Sequence, residues 1–197
     1  MSDLKPYADF VEHPRYGRQP RFTGLNPQTN FDGFPFLHFH SPPSCRIDNT
    51  AILADLRKQV AATIPVTHYY DVQRQCRDCN RMFIFFAAEQ KYWYEDLQFP
   101  LESDCIRCCL CRAKQRQIAH SLQQYENLFH VAKRTSEQTL TMTECCLYLI
   151  ENNIFDFTQK QNQRIRTLLN TVPDDPKYKH RLKQIWQRFH ALKSDEI

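Results

Sequence analysis

Glycine is almost missing from this chain. There are three in 197 residues, Gly17, Gly24 and Gly33, all near the start. A glycine-rich phosphate loop is therefore excluded, and neither a P-loop lysine nor a dinucleotide fingerprint is present. No apolar run reaches the roughly 18 residues a membrane-crossing helix needs. The opening MSDLKPYADF has no basic segment followed by an apolar one, so no secretory signal is read there. No nucleophile motif stands out, which makes an enzyme the weakest functional class. Charge of one sign is also lacking over the first half. Residues 1–73 carry seven basic and seven acidic side chains, and residues 74–112 carry six of each. The whole net charge of +4 comes from residues 113–197, with thirteen basic and nine acidic groups. A clustered basic face for nucleic acid is only weakly suggested by that distribution.

Cysteine, by contrast, is plentiful, with nine residues. An odd number with metal-type clustering fits a reducing compartment, so the protein is read as cytoplasmic. The cluster spans Cys76 to Arg112. It opens with Cys76-x2-Cys79 and closes with Cys105, Cys108, Cys109 and Cys111. Two Cys-x2-Cys pairs about thirty residues apart have the spacing of a structural tetrahedral zinc site. Two intervening residues let one tight turn aim both sulfurs at one ion. The segment between the pairs has room to leave as a strand and return. Four cysteines also suit an iron–sulfur cluster. Cys105-x2-Cys108 and Cys108-x2-Cys111 both satisfy the closing spacing.

Between the pairs lie Phe83, Phe85-Phe86, Glu89-Gln90, Tyr92-Trp93-Tyr94 and Pro100, and after them Cys-x2-Cys-Arg. This run resembles the bacterial "probable zinc-ribbon" domain over about 40 of the 197 residues. The resemblance implies that the closing pair is the one followed directly by Arg and a basic helix. That makes the expected ligands of one structural Zn²⁺ Cys76, Cys79, Cys108 and Cys111, with Cys105 and Cys109 as surplus. Such a motif is specific for metal binding and nearly silent about activity.

Met82 to Phe86 reads as an apolar strand leaving the first pair. Ala87 to Leu97 is helix-length, with Tyr92, Trp93 and Leu97 placed to cover that strand. So small a module cannot bury a self-sufficient core. Metal binding worth roughly 10–16 kcal/mol is comparable to a whole domain's stability.

Seven of eleven prolines lie in the first 43 residues, predicting an irregular arm. Its centre holds a loose repeat, Pro14-Arg15-Tyr16-Gly17 against Pro20-Arg21-Phe22-Thr23-Gly24. An arm draped over the folded body, with aromatic anchors, is the expected arrangement. His38 and His40 alternate on a strand-like segment and read as exposed histidines. Asp48 or Asn49 is expected to cap a helix through about Thr63, with Ile52, Leu53, Leu56, Val60 and Ile64 as its apolar face. Val66 to Gln73 reads as one strand leading to Cys76.

The rest is helical. Ala113 to about Arg134 carries Ile118, Leu122, Tyr125, Phe129 and Ala132 at offsets 0, 4, 7, 11 and 14. Tyr178, Leu182, Ile185, Phe189 and Leu192 repeat those offsets in a last helix from about Pro176 to Lys193. Ser136 to Asn152 has a wide apolar face and is expected at the centre, with Cys145 and Cys146 as core residues. Phe157 to Thr171 makes the fourth helix.

The expected fold is α+β and mainly α. It has an arm over residues 1–47, a helix plus metal module over 48–116, and a bundle of about four helices over 117–197, packed on the module. The expected function is non-catalytic and zinc-binding, through a macromolecular partner. A protein is favoured, contacted by Arg15, Tyr16, Arg18, Arg21 and Phe22, and an immunity- or antitoxin-type inhibitor is one form of it. A nucleic-acid binder is the alternative, resting on Arg74, Arg77, Arg81, Arg112 and Arg116 around the cysteines. Neither a membrane nor a small-molecule substrate is implied.

Overall fold

The computed structural model describes residues 7–27, 43–60 and 66–194. The expected strand bearing His38 and His40 lies outside them. The chain divides into two compact units, Met1–Ala113 and Lys114–Ile197.

The first unit is built on two small antiparallel sheets. β1 (Ile52–Leu53) pairs with β2 (His68–Tyr69), and β3 (Val72–Gln75) pairs with β4 (Met82–Phe85) in the register Val72 to Phe85 and Gln75 to Met82. β4 is apolar throughout because both its faces are covered. Phe83 and Phe85 point into a cluster with Val11 and the metal-site cysteines. Ile84, with Phe86 just beyond the strand, packs against Phe10 and Ile47. The arm supplies Phe10 and Val11, and the Val11 N–H bonds to the Met82 carbonyl at 2.8 Å along the strand edge. Residues 7–27 of the arm therefore belong to the first unit as a draped segment.

β4 runs into α1 (Ala87–Lys91), which continues as a π-helix over Tyr92–Asp96. The Leu97 N–H reaching the Tyr92 carbonyl at 3.0 Å marks the wider turn. This extra width re-aims the aromatic triplet. Trp93 lies against Phe85, with ring centroids 5.0 Å apart, and Tyr94 is buried, whereas Tyr92 and Leu97 turn outward. Of the three residues expected to cover the strand, only Trp93 does so.

The helix expected from Asp48 or Asn49 does not form over the described residues 48–60. Asn49 has φ +62°, and its carbonyl accepts N–H groups from Thr23 and Gly24 of the arm. Ile52 and Leu53 are drawn into the pairing with β2. Leu53, Leu56 and Val60 are exposed, so their helical spacing has no core to face. Tertiary hydrogen bonding overrides the periodicity here. The single strand expected over 66–73 is split between the two sheets. Asp71 sits at the break, buried, accepting N–H groups from Arg21 at 2.8 Å and Ala87 at 2.7 Å. Burial pushes its carboxyl up to about 6 in spite of those two donors.

In the second unit, α2 (Cys109–Phe129), which starts among the metal-site cysteines, is followed by α3 (Ser136–Glu151), α4 (Gln159–Asn170) and α5 (Pro176–Ser194). α3 is the centre, as its wide apolar face predicts, with Leu140, Leu147 and Leu149 fully buried and Cys145 and Cys146 in the same core. Its start is fixed by a capping box in which Thr135 and Gln138 satisfy each other's backbone N–H groups. Glu137, Glu144 and Glu151 recur every seven residues and meet α5. Arg181 bonds to both Glu137 and Glu144, and Arg188 pairs with both oxygens of Glu151 at 2.8 and 2.7 Å. α2 ends at Phe129, so Ala132 falls past the stripe it was expected to continue. No helix among the described residues is long and apolar enough to cross a membrane.

Candidate metal centre

Four sulfurs converge. Those of Cys76, Cys79, Cys108 and Cys111 all lie within 4.8 Å of one another. Four thiolates about 2.3 Å from one zinc at tetrahedral angles stand about 3.8 Å apart. The Cys79 and Cys108 sulfurs are 3.9 Å apart.

The first pair sits on the turn joining β3 to β4. The Cys76 N–H bonds the Arg81 carbonyl at 2.9 Å, and Asn80, at φ +57°, returns its N–H to the Cys76 carbonyl at 2.9 Å. The second pair comes from the start of a helix: Cys108 immediately precedes α2 and Cys111 lies in its first turn. The two ends are held together by the Arg77 N–H on the Ile106 carbonyl at 2.9 Å and by two ion pairs. Arg74 meets Asp104 at 2.6 Å, and Arg107 places Nε 2.9 Å from both oxygens of Asp78.

The electrostatics also fit a dication. Burial works against ionising Cys76. Backbone N–H groups of Cys108, Cys79 and Asp78 outweigh it and bring the thiol down to about 6. The Cys108 N–H is 3.3 Å from that sulfur. Cys108 and Cys111 are pushed the other way, first by burial; the neighbouring sulfurs add to the rise at Cys111, and at Cys108 Cys76 adds to it against lowering hydrogen bonds from Cys111. One thiolate forms readily and the next are opposed by it, until a cation neutralises the group.

The two surplus cysteines are engaged elsewhere. The buried Cys105 thiol donates to the Arg107 carbonyl at 3.4 Å, and burial raises it to about 12. The Cys109 thiol donates to the Glu12 carbonyl of the arm, also at 3.4 Å. Both contacts need the protonated form, which is the wrong form for a ligand. Cys105→Ala and Cys109→Ala are each expected to retain one zinc per chain by elemental analysis. Zinc lost from Cys105→Ala but kept by Cys111→Ala would mean the closing pair is Cys105 and Cys108.

Residues 70–120 match the family model described as a probable treble clef domain. This part of the chain is a treble clef. No curated protein and no solved structure matches the chain. The four-cysteine cluster of the treble clef fits a structural zinc site: all four positions are filled by protein sulfur, and bound zinc acts there as a cross-link. The closing ligands ride on the helix start itself: α2 begins at Cys109, four residues before the Ala113 start expected from the sequence.

Around the treble clef lies a buried ionic cluster. Glu89 of α1 receives Arg112 of α2 at 2.6 Å and faces His13 Nε2 at 3.5 Å. His13 Nδ1 accepts N–H groups from Arg15 and Tyr16, leaving Nε2 to carry the proton toward Glu89. Arg112 also lies over the Trp93 ring, 5.0 Å from its centroid. Gln90, wholly buried, donates to the Tyr70 carbonyl, at the break between β2 and β3, and to the Phe85 carbonyl of β4. Glu89, Gln90, Trp93 and Arg112 are thus joined as the brace between hairpin, helix and arm. Sequence reasoning noted Glu89 and Gln90 through the resemblance, Trp93 also as cover for the strand and Arg112 also as a nucleic-acid candidate, and it missed Asp71 altogether, because an isolated Asp in an apolar segment carries no spacing signal.

The five arm residues separate. Arg18 is internal bracing, bonding the Ala8 carbonyl at 2.9 Å and Glu12 at 3.1 Å. Tyr16 is half-buried between His13 and Phe86. Arg15, Arg21 and Phe22 stay on the surface, Phe22 at 69% exposure.

Proposed function

We propose that this protein is a non-catalytic binding module, in which a zinc-stapled treble clef holds a surface for a protein partner. The observation that carries this reading is how the arm is held. Its backbone is tied down through Val11, Arg21, Thr23 and Gly24, yet Arg15, Arg21 and Phe22 remain exposed. An anchored segment offering arginine and aromatic side chains loses little conformational entropy on binding, and arginine is among the residue types that dominate interface energy. An inhibitor of the immunity or antitoxin kind, which blocks an enzyme by occupying it, is one form of this reading and needs no more of the chain than such a surface.

A second reading, nucleic-acid binding, is favoured by the exposure of Arg77 and Arg81 beside the first ligand pair and of Lys114 and Arg116 on α2. Salt separates the two. A complex with several phosphate contacts weakens by orders of magnitude between roughly 50 and 200 mM salt. Zinc-loaded full-length protein used as bait, with nuclease in one arm and mass spectrometry as readout, is expected to recover one protein at both salt concentrations. Recovery of RNA or DNA alone, lost at the higher salt, would overturn the protein-partner reading.

A further inference from the structure

The arm and the π-helix enclose a cleft of about 430 Å³ in the first unit. The arm supplies Arg15, Tyr16 and Arg21, and the π-helix supplies Tyr92, Glu95 and Asp96. Lys58 and Lys91 complete its charged groups. We propose that this cleft binds a carboxylate side chain from an acidic segment of a protein partner, clamped by Arg15 and Arg21. The proposal rests on the reading of the protein as a binding module.

The pairing of charges carries it. Glu95 is buried, accepts the Asp55 N–H at 2.7 Å and has the Lys91 ammonium 3.5 Å away. Lys91 also donates to the Leu53 carbonyl at 2.8 Å. Asp96 faces Lys58 at 4.0 Å. Both acids of the cleft are therefore answered by lysines. Arg15 and Arg21 form no ion pair among the described residues. Each holds its guanidinium 5.5 Å from the centroid of the same Tyr16 ring. Two like charges held beside one ring, neither within ion-pair distance of a carboxylate and Arg21 acting only at longer range on buried Asp71, favour an added anion in the cleft. A guanidinium fork suits the planar, two-oxygen geometry of a carboxylate.

The occupant's class follows from the rest of the lining. Glu95 and Asp96 on one wall disfavour a run of phosphates, and the volume suits one or two side chains. Tyr92, 43% exposed because the π-turn rotates it outward, and the half-buried Ile52 offer apolar contact to the residue next to the carboxylate. π-turns are frequent at functional sites.

The test uses a random peptide library displayed against the zinc-loaded full chain, followed by affinity measurement with the recovered peptides. Enrichment in Asp or Glu beside an apolar residue is expected. The double variant Arg15→Ala/Arg21→Ala is expected to weaken those peptides by on the order of tenfold or more. That variant should keep its fold, because the hydrogen bond to Asp71 comes from the Arg21 backbone and survives the substitution, only the longer-range charge of Arg21 on Asp71 being lost; zinc content and melting temperature check this. Tyr92→Ala should weaken binding to a lesser degree, and Lys114→Ala/Arg116→Ala should leave it unchanged. Recovered peptides without acidic residues, or equal affinity in the double variant, would overturn the proposal. So would displacement of the peptides by a single-stranded oligonucleotide. If bait experiments recover a protein whose binding survives Arg15→Ala/Arg21→Ala, the cleft fails while the binding-module reading stands. If the peptides bind as expected and no cellular protein is recovered, the binding-module reading fails and the cleft stands.

Discussion

Cys76→Ser is expected to release the zinc and unfold the treble clef. Cys76 is wholly buried, and its sulfur is among the four that converge. It shares a cluster with Val11, Phe83, Phe85, Cys105 and Cys108, so half of the apolar wall around the site consists of cysteines. A small cluster of this kind cannot stand without the cross-link. Zinc binding worth roughly 10–16 kcal/mol at neutral pH is of the same order as the stability of a whole domain. Serine cannot replace a thiolate, and it would leave a hydroxyl beside the Cys108 N–H in an apolar pocket. Elemental analysis should find less than half the parent's zinc, and near-ultraviolet dichroism from Trp93 and its aromatic neighbours should collapse. The far-ultraviolet helical signal should largely persist, since the core around α3 to α5 lies within the second unit. Full zinc content and an unchanged aromatic spectrum in Cys76→Ser would refute the assignment. An iron–sulfur absorption band in the parent protein would refute zinc.

Glu89→Ala should have the second-largest effect. It leaves the Arg112 and His13 side chains, 16% and 13% exposed, without the carboxylate they share. Removing one partner of a buried pair costs about 3–5 kcal/mol, because the remaining charge stays desolvated. For a unit of this size that corresponds to a fall in melting temperature on the order of 10–20 °C. Glu89→Gln keeps an acceptor and should lose less.

The pH dependence has a definite sign. Burial alone would raise the Glu89 carboxyl, but hydrogen bonding from His13 and the charge and hydrogen bond of Arg112 hold it below its ordinary value. A carboxyl depressed in the folded state contributes stability above its unfolded value and loses it as pH falls through the folded one. The gap between parent and Glu89→Gln should therefore be full at neutral pH and close in acid. Thiolate protonation, which releases metal in acid, acts on both proteins alike and drops out of the comparison. A gap that stays constant down to the acid limit would show that Glu89 acts through packing and not charge.

Much of this protein is local and was legible in order along the chain. Two residues between cysteines suffice to aim both sulfurs at one ion, so the metal site is written into short spacings. α2 and α5 follow from apolar residues repeating at 3.6-residue intervals, and α3 could be placed at the centre because its apolar face is wide. The run Met82 to Phe86 reads as a strand because it is short and wholly apolar, and the structure adds that both its faces are covered.

What the sequence left open is non-local. Cys105 and Cys111 have equivalent spacing to Cys108, and the fold separates them: the Cys111 sulfur, on a helix start, converges with the other three, while the Cys105 thiol turns to the Arg107 carbonyl. Ile52, Leu53, Leu56 and Val60 have helical spacing. Hydrogen bonds from the arm and from β2, both distant in sequence, take the backbone that a helix would have used. The pairing of His13, Glu89 and Arg112 joins three segments with no common pattern, and the cleft between the arm and the π-helix exists only once residues 15, 21 and 92 are neighbours. Spacing rules describe what a residue can do with its neighbours in sequence. Which buried charge meets which, and which arginine is left without an ion pair, depends on the desolvation and geometry that only the folded chain creates.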